Sequence, residues 1–447
     1  MTKNIKFTSQ LYVVDISSAL MAVQLIAHKQ PSQKMKLPSL LLLLFLFFSS
    51  SILLSTRAFI STSSCVNCYN DASTTRCYTS AVNSPPPTTL PDLNYGLSDE
   101  EFHAWLHNEV RDAPGRNTYS SAYEDSLNAI VKWRKRYRGN PSLWKRVFKK
   151  DRVVKELIES APVIEFVKRA IVESSSNNNI DDDDDDDKKK FTIIDLCSGK
   201  GYLSMFLSEI LPKEKVDKFI LVDKAWAIAS KKTTPELKPH HMNWDHIYGT
   251  SVNNNHSSYF TTWPIPLYTS KQDLKDSCNQ RQMKKHFFDK IDGPVIILAV
   301  HLCGTLSLKA IEMFNNNQVK LFALKPCCLP QMVYANRGDV FRIGQHEFDA
   351  KDVCSNGQFS KGNWNGPPRW HLQPRFDCWA DNLFKGIDVV GGSSNDDESS
   401  EKRGYRVSMS SRGIKVKDDI AIQIDGGFQN TYIFAEREPV TPEIWRK

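Results

Sequence analysis

A predicted strand, a tight glycine turn and a helix follow one another over Phe191–Ser204, and this stretch constrains the fold more than any other. Mostly apolar residues lead into Asp195, Gly199 and Gly201 follow, and an apolar pattern of helical spacing begins at Tyr202. Because glycine carries no Cβ, the backbone here can approach a ligand closely, and the free N–H groups of the helix face the same place. We therefore predict a nucleotide-type binding turn in an α/β fold.

Three ligand classes use such a turn. A phosphate loop needs two glycines five residues apart followed by Lys and then Ser or Thr, which this stretch lacks. A dinucleotide fingerprint has Gly or Ala where Ser204 stands, so that alternative is weakened without being excluded. The third class is S-adenosylmethionine (SAM). It is favoured because a carboxylate at Asp195 can bind an amino group but would repel a pyrophosphate.

Further cofactor ligands are predicted after the next two strands. Phe219–Asp223 is the second predicted strand, and its terminal carboxylate can accept hydrogen bonds from both ribose hydroxyls of an adenosine. Trp226 either lies against the adenine or belongs to the core. Asp245 either accepts the adenine amino group from a third strand or lies in a surface turn. The predicted cofactor-binding residues are Asp195, Cys197, Ser198, Gly199, Gly201, Asp223, Trp226 and Asp245.

Two later strands end in histidine and cysteine. The near-continuous apolar run Pro294–Val300 predicts a central parallel strand, and Val319–Leu324 predicts its neighbour. Ligands of open α/β sheets bind at the carboxyl ends of the strands, so the polar groups there should converge. The histidine is interpreted as a base, an acceptor-orienting group or a structural residue. The cysteines are interpreted as packing around the cofactor, with a nucleophile or a metal site as alternatives, and no metal is predicted. The candidate catalytic residues are His301, Cys303, Cys327 and Cys328.

The C-terminal part completes a predicted Rossmann-like, doubly wound, seven-stranded sheet. Residues 331–388 are interpreted as a lid or substrate cap, and the low-complexity stretch 391–404 as a disordered loop. Strands over 418–424 and 431–435 then predict an antiparallel hairpin. A parallel sheet that ends in such a hairpin is typical of SAM-dependent methyltransferases.

The first 95 residues have the features of a targeting presequence. A basic residue, an apolar run over Leu40–Phe48 and small residues near Ala58 predict a signal peptide over about 35–58. The Ser/Thr-rich remainder resembles a transit segment. The signal peptide and the transit segment together predict import into a plastid, and no stable membrane association is expected after the presequence is removed. A membrane anchor or the secretory pathway through Leu37–Leu54 is the alternative. Of the net charge of +7, residues 1–94 carry +4, so any basic partner surface must be local.

Residues 97–174 are predicted to form a helical N-terminal extension, joined to the following domain (191–440) by the acidic low-complexity linker 175–190. Helices are predicted over 101–110, 123–138 and 152–172. Lys132–Lys155 holds eleven Lys and Arg residues and a single acid, Asp151. This basic stretch predicts either an RNA-binding surface or a solvated helix face whose aromatic residues belong to the core. The aromatic residues in question are Trp133, Tyr137, Trp144 and Phe148.

Four motifs together carry a family resemblance: Asp195–Gly201, Val222–Trp226, Val300–Gly304 and Lys325–Cys328. They resemble the class I methyltransferase-domain family with His-x-Cys-Gly and Cys-Cys signatures, which is related to the tRNA acceptor-stem 2′-O-methyltransferases. The resemblance covers roughly residues 190–330 and the final hairpin. It implies SAM as the donor, and with the basic stretch it predicts in-line methyl transfer to RNA, tRNA-like in kind. A protein or small-molecule acceptor, or a non-catalytic binding protein of the same fold, is the alternative.

Overall fold

The computed structural model describes residues 96–173, 189–227, 242–249, 259–360, 363–366, 369–389, 398–402, 405–410, 413–419 and 430–438. The predicted presequence and the acidic run of the linker lie outside these ranges and stay predictions. Among the helices of these ranges, none combines the length and the apolar character needed to cross a bilayer.

The N-terminal extension is helical, as predicted. Its first helix begins with a capping box, in which the Glu101 N–H donates to Ser98 Oγ (3.1 Å) and the Ser98 N–H donates to Glu101 Oε2 (2.7 Å). A short helix that was not predicted starts at Pro141, whose fixed φ suits the first helical turn. The helices are α1 (Asp99–Glu109), α2 (Ser120–Tyr137), α3 (Pro141–Val147) and α4 (Lys150–Glu173).

Within the described ranges, nine strands form the main sheet, in the order β10-β11-β12-β13-β5-β4-β1-β2-β3. The strands β1 to β5 are parallel to one another, whereas β13 lies antiparallel to β5 and to β12. The predicted α/β fold with an antiparallel C-terminal end is therefore confirmed. The seven predicted strands correspond, in sheet order, to β3, β2, β1, β4, β5, β13 and β12. The strands β11 and β10 extend the sheet beyond β12. The strands are β1 (Phe191–Leu196), β2 (Val216–Val222), β3 (Leu267–Ser270), β4 (Val295–Cys303), β5 (Leu321–Cys328), β10 (Glu398–Lys402), β11 (Tyr405–Ser410), β12 (Gly413–Asp419) and β13 (Thr431–Arg437).

Short elements connect these strands. Two small hairpins lie between β5 and β10, and a π-helix over 284–288 continues α7. The remaining helices and strands are α5 (Tyr202–Ile210), α6 (Asp245–Tyr248), α7 (Ser277–Met283), α8 (Leu306–Asn315), α9 (Met332–Asn336), α10 (Ala350–Val353), α11 (Gln373–Lys385), β6 (Val340–Ile343), β7 (His346–Asp349), β8 (Gln358–Ser360) and β9 (Asn363–Asn365).

The sheet separates two hydrophobic cores. Successive strand residues point to opposite faces, so Ile193 packs in one core and Ile194 in the other. The first core also holds the buried residues of α1–α5, and the Trp133 ring lies 4.6 Å from that of Phe206. The Tyr202 hydroxyl donates to the Val147 carbonyl oxygen at 2.6 Å. The N-terminal helices are therefore a layer of the α/β fold rather than a separate arm.

Part of the predicted cap belongs to the second core. Phe376, Trp379 and Leu383 of α11 are fully buried together with strand residues of the sheet. The interpretation of residues 331–388 as a lid or cap is therefore wrong for this helix, because its apolar face covers the sheet.

Three predicted boundaries also differ. The polar, charged composition of residues 269–290 predicts a helix there, but the helix begins only at Ser277, where the Asp276 side chain caps its N-terminus, and β3 occupies 267–270. Glu398–Lys402, expected to be disordered, pairs with β11 as an edge strand. The first hairpin strand is Gly413–Asp419 rather than 418–424, and residues 420–429 lie outside the described ranges.

Candidate active site

The glycine turn has a left-handed backbone at three of its residues. Cys197, Gly199 and Gly201 have φ values of 54°, 53° and 81°. The Ser198 N–H donates to the Val222 carbonyl oxygen (3.1 Å), and the Gly201 N–H donates to the Ser198 carbonyl oxygen (2.8 Å). These bonds tie the turn to the end of β2. A positive φ is uncommon outside glycine, so Cys197 is a strained position of the kind found at functional sites.

Replacing Gly201 by alanine should destabilise the protein by roughly 2–4 kcal/mol and weaken SAM binding. An added Cβ would lie 2.3 Å from Leu221 Cδ2, at a backbone angle that L-residues rarely adopt. Gly338→Ala is the matched control, because φ is also positive there (70°) but nothing lies within 4 Å. Chemical denaturation measures the free energy of unfolding of both variants. Equal losses of stability in Gly201→Ala and Gly338→Ala would contradict a steric role for Gly201.

Asp195 ends β1 and is buried, with only 2% of its surface exposed. The Ser204 hydroxyl donates to Asp195 Oδ2 at 2.7 Å. Burial nevertheless raises the pKa of Asp195 to about 7, since the bond from Ser204 and the charge of His301 offset it only in part. A buried carboxylate of this kind is suited to a cationic partner, and the amino group of SAM is one.

Asp223 follows β2 and holds the turn from the other side. Its Oδ2 accepts a hydrogen bond from the Gly199 N–H (3.2 Å), and its Oδ1 accepts one from the Ala225 N–H (2.8 Å). Burial raises the pKa of Asp223, and the negative charge of Asp273 contributes in the same direction. Asp273 comes shortly after β3, and the sequence analysis missed it because it placed the third strand too early.

Two predicted cofactor residues are corrected. The Trp226 side chain is fully buried, and its Nε1–H donates to Ser198 Oγ at 3.2 Å. It supports the turn from inside the core instead of presenting a face to an adenine. Asp245 begins the short helix α6, away from any strand, and forms an ion pair with Arg146 at 3.1 Å. The interpretation of Asp245 as a third-strand acid is therefore wrong.

His301 lies at the end of β4 between two carboxylates of α4. Its Nε2 is 3.1 Å from Glu159 Oε2 and 3.3 Å from Glu156 Oε2. Burial opposes the charged imidazolium, but Glu159 and Glu156 together raise the pKa of His301. A protonated histidine is a poor base, so this geometry favours the orienting role over the base.

A buried lysine completes this network. Lys325 is 1% exposed, and its Nζ lies 3.6 Å from Glu159 Oε1. The Tyr432 hydroxyl donates to the Glu159 carbonyl oxygen at 2.8 Å. Sequence analysis missed Glu156 and Glu159. The signal that could have found them is two acids three residues apart, a spacing that places both side chains on one face of a helix.

The three candidate cysteines meet where β4 and β5 end. Cys303 Sγ lies 3.2 Å from Cys327 Sγ, which in turn lies 3.6 Å from Cys328 Sγ. The contact with Cys303 lowers the pKa of the Cys327 thiol, but Cys328 and burial outweigh it and raise this pKa well above its usual value. The thiol form is a weak nucleophile, which disfavours the nucleophile interpretation for Cys327.

The basic stretch divides into a buried and an exposed part. Its four aromatic residues are at most 2% exposed, so the interpretation that they contact bases is wrong and the core alternative holds for them. Arg134 and Arg136 are also largely buried, in ion pairs with Asp99 and Glu209.

The exposed part lies beside the glycine turn. Partial burial, and then the charges of Arg152, Lys149 and Arg146, lower the pKa of Lys200 to about 8. Lys200 Nζ also donates to the Arg146 carbonyl oxygen at 3.4 Å. The turn is therefore bordered by four cations, here called the cation cluster: Arg146, Lys149, Arg152 and Lys200.

Residues 159–334 match the model of a family described as a methyltransferase domain. The matched range contains the glycine turn, both strand-end carboxylates, His301 and the three cysteines. The chain therefore contains a methyltransferase domain, and this class of enzyme implies SAM as the cosubstrate. The predicted enzyme class is confirmed, whereas the match does not indicate the acceptor.

Among solved structures, the chain is similar to one described as a SAM-dependent methyltransferase from Listeria monocytogenes. The identity is 9%, the TM-score is 0.23, and the similarity covers 56% of this chain and 92% of that one. It is also similar to a CurJ carbon methyltransferase, at 8% identity and a TM-score of 0.30, over 76% of this chain and 71% of that one. These similarities are too low to bear on mechanism or acceptor. No curated protein matches the chain.

Proposed function

We propose that this protein transfers a methyl group from SAM to an RNA acceptor, tRNA-like in kind. The observation that carries the proposal is the cation cluster, which lies next to the turn where the donor binds. Partial burial, and after it mutual repulsion, lowers the pKa of Lys200, and a phosphate group between these side chains would relieve the repulsion. An acceptor rich in phosphate therefore fits this surface better than a neutral small molecule does.

The donor would be held by the groups around the turn. Asp195 suits the amino group of SAM, and Asp223 has the position for the ribose hydroxyls. Backbone at Gly199 and Gly201 permits close approach, with Ser198 fixed by Trp226. SAM supplies an electrophilic methyl group, so that alignment of donor and acceptor accounts for most of the acceleration. His301 is placed to orient the acceptor.

The acceptor class is tested with the full-length protein, SAM labelled in its methyl group, and three separate pools: total RNA, total protein and small metabolites. We expect label in RNA, and nuclease digestion should release it. Label confined to protein or to small molecules would overturn the RNA proposal while leaving the methyltransferase assignment intact.

RNA affinity should fall as the pH rises through about 8, because Lys200 loses its proton there. In Lys200→Arg this dependence should flatten, since an arginine stays charged. In Lys200→Gln, RNA binding should weaken, and the slope of log K against log salt concentration should become shallower by about one. Filter binding between about pH 7 and pH 9 measures the RNA affinity of the unchanged protein and of both variants.

The matched control is Lys213→Gln, an exposed lysine that precedes β2, at the opposite end of that strand from the turn. It should leave the pH profile unchanged. A wild-type profile that is flat across pH 8, or the same loss in Lys213→Gln, would contradict a role for the cation cluster in RNA binding.

A further inference from the structure

Two bulges bring the three cysteine sulfurs together. In the ladder between β4 and β5, Val300 pairs with Lys325, Leu302 with Pro326, and Cys303 with Cys328. His301 on β4 and Cys327 on β5 therefore have no partner in this register, and His301 has a φ of 65°. Adjacent residues of a regular strand point to opposite faces, but the bulged ends break that alternation.

All three Sγ atoms consequently lie within 4.8 Å of one another. Three thiolates around one Zn²⁺, each at about 2.3 Å, would be roughly 3.8 Å apart. The measured separations of 3.2 and 3.6 Å are slightly shorter, so binding an ion requires only small outward movements of the side chains.

Access and ligand chemistry agree with a metal ion. Cys303 and Cys328 are half-buried, and Cys327 is 9% exposed, so the cluster can be reached from solvent. Thiolate sulfur is a soft ligand that selects Zn²⁺ and Cu⁺ over Mg²⁺ or Ca²⁺. Three protein ligands with one open position are the pattern of a zinc site that accepts water or a substrate atom.

We propose that Cys303, Cys327 and Cys328 form a site for a thiophilic metal ion, Zn²⁺ in the first place, with the fourth position open to solvent. Three Zn–S bonds form and the three thiol protons leave to solvent. The site differs from the sequence-based expectation of no metal, which rested on adjacent cysteines seldom sharing one ion. It does not depend on the RNA proposal.

The test uses the full-length protein under reducing conditions, in a background where Cys65, Cys68 and Cys77 are serine. After addition of Zn²⁺ and dialysis, elemental analysis should find one equivalent per chain above the level of the variant that lacks all three site cysteines. Co²⁺ in place of Zn²⁺ should produce thiolate-to-metal charge-transfer absorbance. Each single serine substitution in the site should weaken binding by at least about tenfold.

Cys278→Ser and Cys378→Ser are the matched controls, because these cysteines lie outside the cluster. They should retain full binding. X-ray absorption of the Zn²⁺-loaded protein with the three site cysteines intact should find three sulfur neighbours at about 2.3 Å, and this needs no folded variant. Zinc retention no greater than in the triple variant, or fewer than three sulfur neighbours, would overturn the proposal.

Discussion

Asp195→Asn should weaken SAM binding by at least about 30-fold while stabilising the ligand-free protein. Burial raises the pKa of Asp195 to about 7, so the carboxylate that binds a cationic amino group is fully available only above pH 7. In the unchanged protein, SAM affinity should therefore rise as the pH increases through 7 and then level off. Asparagine cannot ionise, and the variant should lose this dependence.

The same pKa determines the effect on stability. Since the folded-state pKa lies above the usual value of 3.8, ionising Asp195 costs stability. The cost is absent below about pH 4, grows as the pH rises towards 7, and is complete above it. At pH 8 the asparagine variant should be more stable by roughly 2–4 kcal/mol, and at pH 4 the difference should vanish.

Isothermal titration with SAM and denaturation across this pH range measure both effects. Asp217→Asn is the control, because Asp217 lies near the start of β2 and its side chain is 52% exposed. A variant with undiminished SAM affinity at pH 8 would exclude Asp195 from the donor site. If Asp195→Asn and the unchanged protein are equally stable at pH 8, then burial of the ionised Asp195 carboxylate does not destabilise the fold.

Glu159→Gln should destabilise the protein by about 3–5 kcal/mol, because it leaves the buried Lys325 ammonium without its carboxylate. The double variant Glu159→Gln/Lys325→Met should recover much of this loss, since neither charge then remains in the core. Denaturant unfolding of the two single variants and the double variant gives the coupling between them. Strict additivity would contradict a direct interaction.

Glu156→Gln is the matched control for this network. Glu156 also faces His301, but its side chain is 23% exposed compared with 4% for Glu159. We expect a loss of about 1 kcal/mol or less. His301 adds a pH signature: its pKa is raised, so its contribution is present below about pH 6.5 and is lost as the pH rises through the folded-state pKa. In Glu159→Gln this pH-dependent loss of stability should be smaller.

Local features of the chain were sufficient to predict the glycine turn and the two carboxylates beside it. The strand into Asp195, the glycine pair Gly199 and Gly201, and the carboxylate after β2 each depend on residues close together in sequence. Periodicity also predicted the helical extension. It could not decide whether Trp133 and its aromatic neighbours meet RNA or the core, because a helix has the same pattern in both cases. Packing against α5 decided for the core.

The sequence by itself therefore determined an α/β fold, a glycine turn and the two strand-end carboxylates beside that turn. The tertiary structure decided which charges and sulfurs meet. Glu159 reaches His301 and Lys325 only because α4 covers the face of the sheet where β4 and β5 end side by side. Cys303 reaches Cys327 and Cys328 only because both strands bulge at that edge. The physical reason is that such contacts depend on strand order and register, which the residues of any one segment do not specify.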